Sequence, residues 1–355
     1  MNKLFDCKAI DHAITFLPTG DISPCCLIKN YTKDINEISN PNRFADLKII
    51  GTPTNCINCV DAGIHSYKHA FAGYRKNIQM IDFRTSNLCN LKCRTCGPSY
   101  SSKWADELGI KSPIKKVDID IYITQILTDS ISKIYFAGGE PLLNIDHWNL
   151  LDKLIELNLA RNISLQYSTN LTVITYKNKT VSDYWKQFKH VQVNASIDAT
   201  GPAFEYIRSG ANWEVADTNI TKLSNLSLNN LTINIAFTLS VLSVWFLKDV
   251  LEYANSKKIK VSVFQLTDPH YLTLNVLPSI LVTQCVSILQ DCINIAPQYK
   301  NQLEAAISTA NNNDDTGSFM HMISTVLLLD KIRNENLFDL LPFRDTAIHH
   351  ILKNQ

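Results

Sequence analysis

The sequence predicts an α/β fold built on a parallel sheet or open barrel, and three observations carry that expectation. Short β-rich runs alternate with amphipathic stretches from about Gln79 onward, six such runs appear before the pattern stops near Asp268, and polar or glycine-rich turns recur at their C-terminal ends. Strand–helix alternation of this kind means parallel strands joined by helical crossovers, which place a site at the strands' C-terminal ends.

Residues 1–77 read as a small cysteine-rich N-terminal module. Cys7, Cys25, Cys26, Cys56 and Cys59 lie among turn segments such as LPTGD and GTPTN, with little sustained apolar periodicity. A segment so poor in apolar pattern needs a staple. Residues 78–266 hold the barrel, with strands expected at QMIDFRTS (79–86), KIYFAGG (133–139), ISLQYST (163–169), VQVNASID (191–198), LTINIAFTLS (231–240) and KVSVFQL (260–266). Helices are expected between them near 98–108, 145–158, 180–189, 213–228 and 244–257. Residues 267–355 form a mainly helical C-terminal lobe, broken by NNNDDTG at 311–317.

Composition narrows the function classes. The 355 residues are 45% hydrophobic, enough for a sizeable core, and 34 basic against 33 acidic side chains leave a net charge of +1. That balance gives no electrostatic footprint for nucleic acid or an anionic membrane. The N-terminal residues lack an apolar core of signal-peptide length, so a cytoplasmic location is expected. The uncharged stretch Leu223–Leu247 contains Asn225, Asn229, Asn230 and Asn234, which are costly in hydrocarbon, so no membrane span is expected. Ten cysteines in such a protein, eight of them before residue 97, point to metal binding rather than disulfides.

The spacing Cys89-x3-Cys93-x2-Cys96 follows the first strand of the barrel directly. Three thiolates in eight residues, with no fourth Cys or His nearby, suit a four-iron cluster that keeps one iron open. A structural zinc site would use four ligands in two close pairs. The next strands end in Gly138-Gly139-Glu140-Pro141, Ser168-Thr169-Asn170 and Ser196-Ile197-Asp198, and Glu205-Tyr206-Ile207-Arg208 follows. Polar groups at successive strand ends suit a polyfunctional small ligand.

The cysteine loop followed by the GGEP turn resembles the radical S-adenosylmethionine (radical SAM) superfamily, over residues 79–266. The resemblance implies a partial (β/α)6 barrel, a 4Fe-4S cluster on Cys89, Cys93 and Cys96, and S-adenosylmethionine chelated by the open iron. One electron, from a donor such as flavodoxin or ferredoxin, then yields a 5′-deoxyadenosyl radical that abstracts a substrate hydrogen. By the same resemblance Gly138, Gly139 and Glu140 contact the methionyl amine. Ser168, Asn170, Ser196 and Arg208 stand where such enzymes hold the ribose and carboxylate. Thr95 occupies a place that is often aromatic in the family, which puts adenine contacts from this loop in question.

The N-terminal arrangement of Cys7, LPTGDISPCC and Cys56-x2-Cys59 resembles the auxiliary-cluster modules called SPASM or twitch domains. It implies a second 4Fe-4S cluster on Cys7, Cys56 and Cys59, with Cys25 or Cys26 as the fourth ligand; a structural zinc site with four thiolate ligands remains the alternative. An auxiliary cluster of that kind can take an electron from a substrate radical.

For the step after hydrogen abstraction, the sequence offers Asp198, Glu205 and Asp268 as bases. Cys285 and Cys292, two helical turns apart on one face, are candidate hydrogen donors or core residues. His270 and Tyr271, in the stretch leaving the last strand, are candidate substrate contacts. The expected function is a radical SAM enzyme modifying a peptide in natural-product maturation, by crosslinking, dehydrogenation or epimerisation. The same chemistry on a small sugar or aminocyclitol is the nearer alternative, and a non-catalytic zinc-binding scaffold the more distant one.

Overall fold

The computed structural model describes residues 7, 9–26, 28, 31–34, 44–47, 56, 78–111, 131–313 and 318–340. All six expected barrel strands form: β3 (Met80–Phe83), β4 (Lys133–Phe136), β5 (Ser164–Thr169), β8 (His190–Ser196), β9 (Leu231–Leu239) and β10 (Lys260–Gln265). Two more, β1 (Ala13–Phe16) and β2 (Ile22–Ser23), come from the cysteine-rich N-terminal segment, and β6 (Thr175–Tyr176) pairs with β7 (Lys179–Thr180) as a separate ribbon.

The eight-stranded sheet runs β10-β9-β8-β5-β4-β3-β1-β2. Every pairing from β10 to β1 is parallel, and only β2, at the edge, is antiparallel. Each barrel strand lies beside its predecessor, as repeated crossover units dictate. The N-terminal segment therefore enters the sheet itself, with Thr15 in register with Asp82. β1 has only four residues, all buried, so it shows neither alternation nor a long apolar run that periodicity would detect.

Alternation along the strands divides the sheet into two faces. Ile134, Phe136, Leu165, Tyr167, Val191, Val193 and Ala195 join the main core with the crossover helices. The intervening residues Tyr135, Gln166, Ser168, Gln192, Asn194 and Ser196 are half-buried on the opposite, inner face of the open barrel. That inner face is polar.

The helices are α1 (Ala9–His12), α2 (Ser102–Glu107), α3 (Ile145–Glu156), α4 (Val181–Trp185), α5 (Gly201–Ile207), α6 (Trp213–Ser224), α7 (Leu247–Lys257), α8 (Ser279–Ile295), α9 (Lys300–Asn311) and α10 (Ser318–Arg333). Their ends follow local chemistry. Asn144 caps α3 by accepting from the Asp146 N–H at 3.1 Å, and Asn212 caps α6 by accepting from Val215 N–H at 2.9 Å. In α3 the buried residues His147, Trp148, Leu150, Leu151 and Leu154 keep the three- and four-residue spacing that lays one stripe on the sheet.

Helices α8, α9 and α10 follow the last barrel strand, within the segment expected to be mainly helical. They also correct one expectation. Cys285 and Cys292 are fully buried in the main core, and burial pushes their thiols up to about 12 and about 11. They pack the helix against the barrel core, the second of the two roles that their spacing allows, and their burial speaks against contact with a substrate.

Candidate active site

The loop after β3 carries Cys89, Cys93 and Cys96, and these three thiols gather with Leu91 in one cluster. The loop is held from several sides. Ser101 caps α2 and donates to Leu91 O at 2.6 Å, Trp104 Nε1 donates to Cys93 O at 2.8 Å, and the Cys89 N–H reaches Ser102 Oγ at 3.2 Å. Arg94, inside the cysteine motif, pairs with Asp330 and Glu335 at 2.5 Å each and lies 3.7 Å from the centroid of the Tyr206 ring. Arg333 clasps Glu107 at 2.7 Å, donates to Lys92 O at 2.9 Å and lies over the Trp104 ring. The C-terminal helix thus fastens the cysteine loop.

The GGEP turn closes against the same loop. Gly138 and Gly139 adopt φ of +81° and +54°, a region that disfavours side chains. A Cβ at Gly139 would stand 2.3 Å from Leu88 O, so no larger residue fits without moving the cysteine loop. The Glu140 N–H donates to that same carbonyl at 2.7 Å. The Glu140 carboxylate is buried and accepts from Thr169 Oγ1 at 2.7 Å, Asn170 N at 2.8 Å and Leu142 N at 3.2 Å. Burial raises its pKa to about 7, although those three donors oppose the shift. Glu140 therefore locks the ends of β4 and β5 together.

Asn170 is buried beside it and ties β5 to the cysteine loop, donating to Asn90 Oδ1 at 3.0 Å and accepting from Thr172 N–H at 2.9 Å. Ser168 lies on the inner face, 2.7 Å from the Tyr135 hydroxyl, and Ser196 lies on the same face one strand over. Arg208 ends α5 with one guanidinium nitrogen 3.7 Å from Cys93 Sγ and another 2.7 Å from Asp198. Its Nε is buried with no hydrogen-bond partner among the described residues.

Asp198 is corrected from a candidate base to a positioning residue. It is fully buried, pairs with Arg208 and accepts from the Thr238 N–H at 2.8 Å, so it lacks the access of a free base. Glu205 accepts from the Trp213 N–H, the first of α6, at 2.9 Å. Asp268 and His270 are exposed, and Tyr271 stands edge-on to His321 of α10.

The donor set fits the open-iron cluster. Burial drives the Cys89 and Cys96 thiols up to about 12 and raises Cys93, so thiolates here need positive charge beside them. Arg208 supplies one such charge, and a cluster would supply the rest. No group of three His, Cys, Asp or Glu side chains that would hold a bare metal ion occurs among the described residues. A cluster binds each thiolate to a different iron, so its ligands need not meet at one point.

Of the N-terminal cysteines, Cys7, Cys25 and Cys56 line a single cavity with Ala9, Ile10, Pro24, Ile28 and Leu47. Cys59 lies outside the described residues. Cys26 is not part of that lining and lies near Arg84 and Tyr135, close enough for its charge to raise the proton affinity of both.

Comparison with known proteins agrees with this geometry. Residues 83–242 match the family model described as the Radical SAM superfamily. The chain carries a radical SAM domain. Such a domain implies a 4Fe-4S cluster and S-adenosylmethionine, and Cys89, Cys93 and Cys96 are the residues that would hold the cluster. Among curated relatives, a GTP 3′,8-cyclase of Peptoclostridium acidaminophilum is 25% identical over 166 residues, covering 46% of this chain and 47% of that protein. A GTP 3′,8-cyclase of Sulfurimonas denitrificans is 24% identical over 139 residues, covering 39% and 40%. The chain thus spans about half the length of these relatives or less. The crystal structure of Streptococcus suis SuiB aligns with a TM-score of 0.41 at 16% identity, covering 73% of this chain and 56% of that one. No described helix is long and apolar enough to cross a membrane.

Sequence reasoning missed Arg94, Arg333, Asp330 and Glu335. The partners of Arg94 lie 236 and 241 residues away, so no local spacing announces them.

Proposed function

We propose that this protein is a radical SAM enzyme that takes hydrogen from a polar substrate lying over the inner face of the barrel. The observation that carries the reading is the Cys89–Cys96 loop closed by the Gly138–Glu140 turn, with Arg208 against Cys93. When bound, the cluster and S-adenosylmethionine supply a 5′-deoxyadenosyl radical through one electron from a carrier such as flavodoxin or ferredoxin. The chain's own residues shape that site. Gly138 and Gly139 bring backbone close to it, Glu140 fixes the turn, and the Asp198–Arg208 pair holds a cation beside the thiolates.

A peptide in natural-product maturation is the leading substrate class. A second reading, a small polar substrate such as a nucleotide, is favoured by the name GTP 3′,8-cyclase borne by several relatives. The shared cavity of Cys7, Cys25 and Cys56 supports a second cluster with Cys25, not Cys26, as a ligand. Such a centre would suit net oxidation of the substrate.

The decisive experiment is anaerobic reconstitution followed by S-adenosylmethionine and dithionite. Formation of 5′-deoxyadenosine is expected, together with its loss in Cys93→Ala. A reconstituted protein that contains iron and sulfide but forms none would sink the reading.

A further inference from the structure

One charged group on the inner face has no role in the cysteine loop. Arg84 follows β3, on the side of the sheet that carries Asp82, and its Cα and Cβ abut the Gly138 turn: a Cβ built on Gly138 would lie 3.0 Å from Arg84 Cβ. Its Nε donates to Asp82 Oδ1 at 2.8 Å, and its guanidinium carbon stands 5.2 Å from the centroid of the Tyr135 ring. Asp82 is fully buried, so this contact fixes the guanidinium plane. The side chain keeps 18% of its surface exposed, and its two terminal nitrogens have no hydrogen-bond partner among the described residues. Tyr135 OH and Ser168 Oγ, 2.7 Å apart, lie alongside.

An arginine held by Nε and aromatic contact, with its terminal fork unpaired and partly exposed beside polar side chains of the inner face, is pre-organised for two parallel hydrogen bonds to an oxyanion. Among the charged groups that face this position, Asp82 is already paired with it, and Cys26 is the other ionisable neighbour besides Tyr135. We propose that Arg84 anchors an oxyanion of the substrate, a carboxylate or a phosphate, on the inner face of the barrel beside the Gly138–Glu140 turn. The assignment rests on the radical SAM reading for the identity of the neighbouring cofactor site. It narrows the substrate to an acidic molecule and disfavours a neutral sugar.

Phenylglyoxal modification, mapped to Arg84 by mass spectrometry on the reconstituted full chain with S-adenosylmethionine bound, tests this directly. Orthophosphate or glutarate is expected to slow modification of Arg84, whereas the neutral polyol inositol is not. The anion that protects at lower concentration identifies phosphate or carboxylate as the natural group. By calorimetry, R84Q should bind that anion roughly 10- to 100-fold more weakly, the range of a lost charge-assisted pair, with R84K between the two. Failure of both anions to protect Arg84, or wild-type anion affinity in R84Q, would overturn the proposal. So would an equal loss of S-adenosylmethionine affinity in R84Q, which would assign Arg84 to the cofactor. Assaying 5′-deoxyadenosine on the same wild-type samples separates the two ideas: its absence sinks the radical reading, whatever the anion data show.

Discussion

Replacing Asp330 by alanine should detach the C-terminal lobe from the cysteine loop. In the native chain Asp330 accepts from Arg94 at 2.5 Å, from the Tyr206 hydroxyl at 2.9 Å and from the Leu337 N–H at 2.7 Å. Arg94 is 1% exposed, so losing this carboxylate leaves a buried guanidinium with Glu335 as its remaining acid. Breaking one side of a buried ion pair costs about 3–5 kcal/mol. Glu335 is partly exposed and retains its contact, which places the expected cost near the lower end, about 3 kcal/mol. Urea unfolding of the reconstituted protein reads the loss as a shift in midpoint, and limited proteolysis reads detachment of residues 318–340. The paired variant Arg94→Met with Asp330→Ala should cost less than the sum of the single changes, because the stranded charge is gone. A midpoint for Asp330→Ala within about 0.5 kcal/mol of wild type, the range of an ordinary surface change, would refute the argument.

Gly139→Ala places a Cβ 2.3 Å from Leu88 O at a positive φ, so the cysteine loop must shift; iron and sulfide content after reconstitution should fall, and full content would contradict the close approach. Cys25→Ala should remove about four irons per chain while Cys26→Ala keeps them, if Cys25 is the auxiliary ligand. Iron analysis of the two variants decides it, and equal iron in both would sink the assignment. His147 is buried, with Nε2 2.9 Å from the Tyr167 hydroxyl, and desolvation lowers its pKa to about 3. The unfolded chain takes up this proton near its usual value of about 6.5, so stability is intact above that pH and falls as pH drops toward 3. The loss amounts to about 2 kcal/mol at pH 5. His147→Gln should flatten that part of the stability–pH curve, and an unchanged slope would exclude His147 as the source.

The six barrel strands were legible because each carries either clean alternation or a buried run bounded by glycine and polar turns, as KIYFAGG and ISLQYST do. The cysteine loop and GGEP turn were legible because their chemistry depends on short, fixed spacing. Arg84 and Asp82 were hidden in plain sequence: a strand-end arginine looks solvated until Asp82 proves fully buried beside it. Asp198 misled for the same reason, since only the fold shows that Arg208, ten residues on, occupies it. The roles of Asp330 and Glu335 depend on contacts across most of the chain, which no local pattern encodes. Cys285 and Cys292 fell to packing because helical spacing defines a face without saying what that face meets.

Strand β1, held between β2 and β3, also links the two ends of the cysteine pattern. It follows Cys7, precedes Cys25 and is laddered in parallel to β3, the strand that leads into Cys89. Adjacent strands lie about 4.8 Å apart and cannot slide without breaking their ladder. Cys7 and Cys25, which flank β1, are therefore tied through that ladder to the strand that leads into Cys89. An electron passing from the Cys7 and Cys25 side to the Cys89 loop would cross a span set by that ladder, and heat or denaturant that frees β1 should loosen Cys7 and Cys25 together.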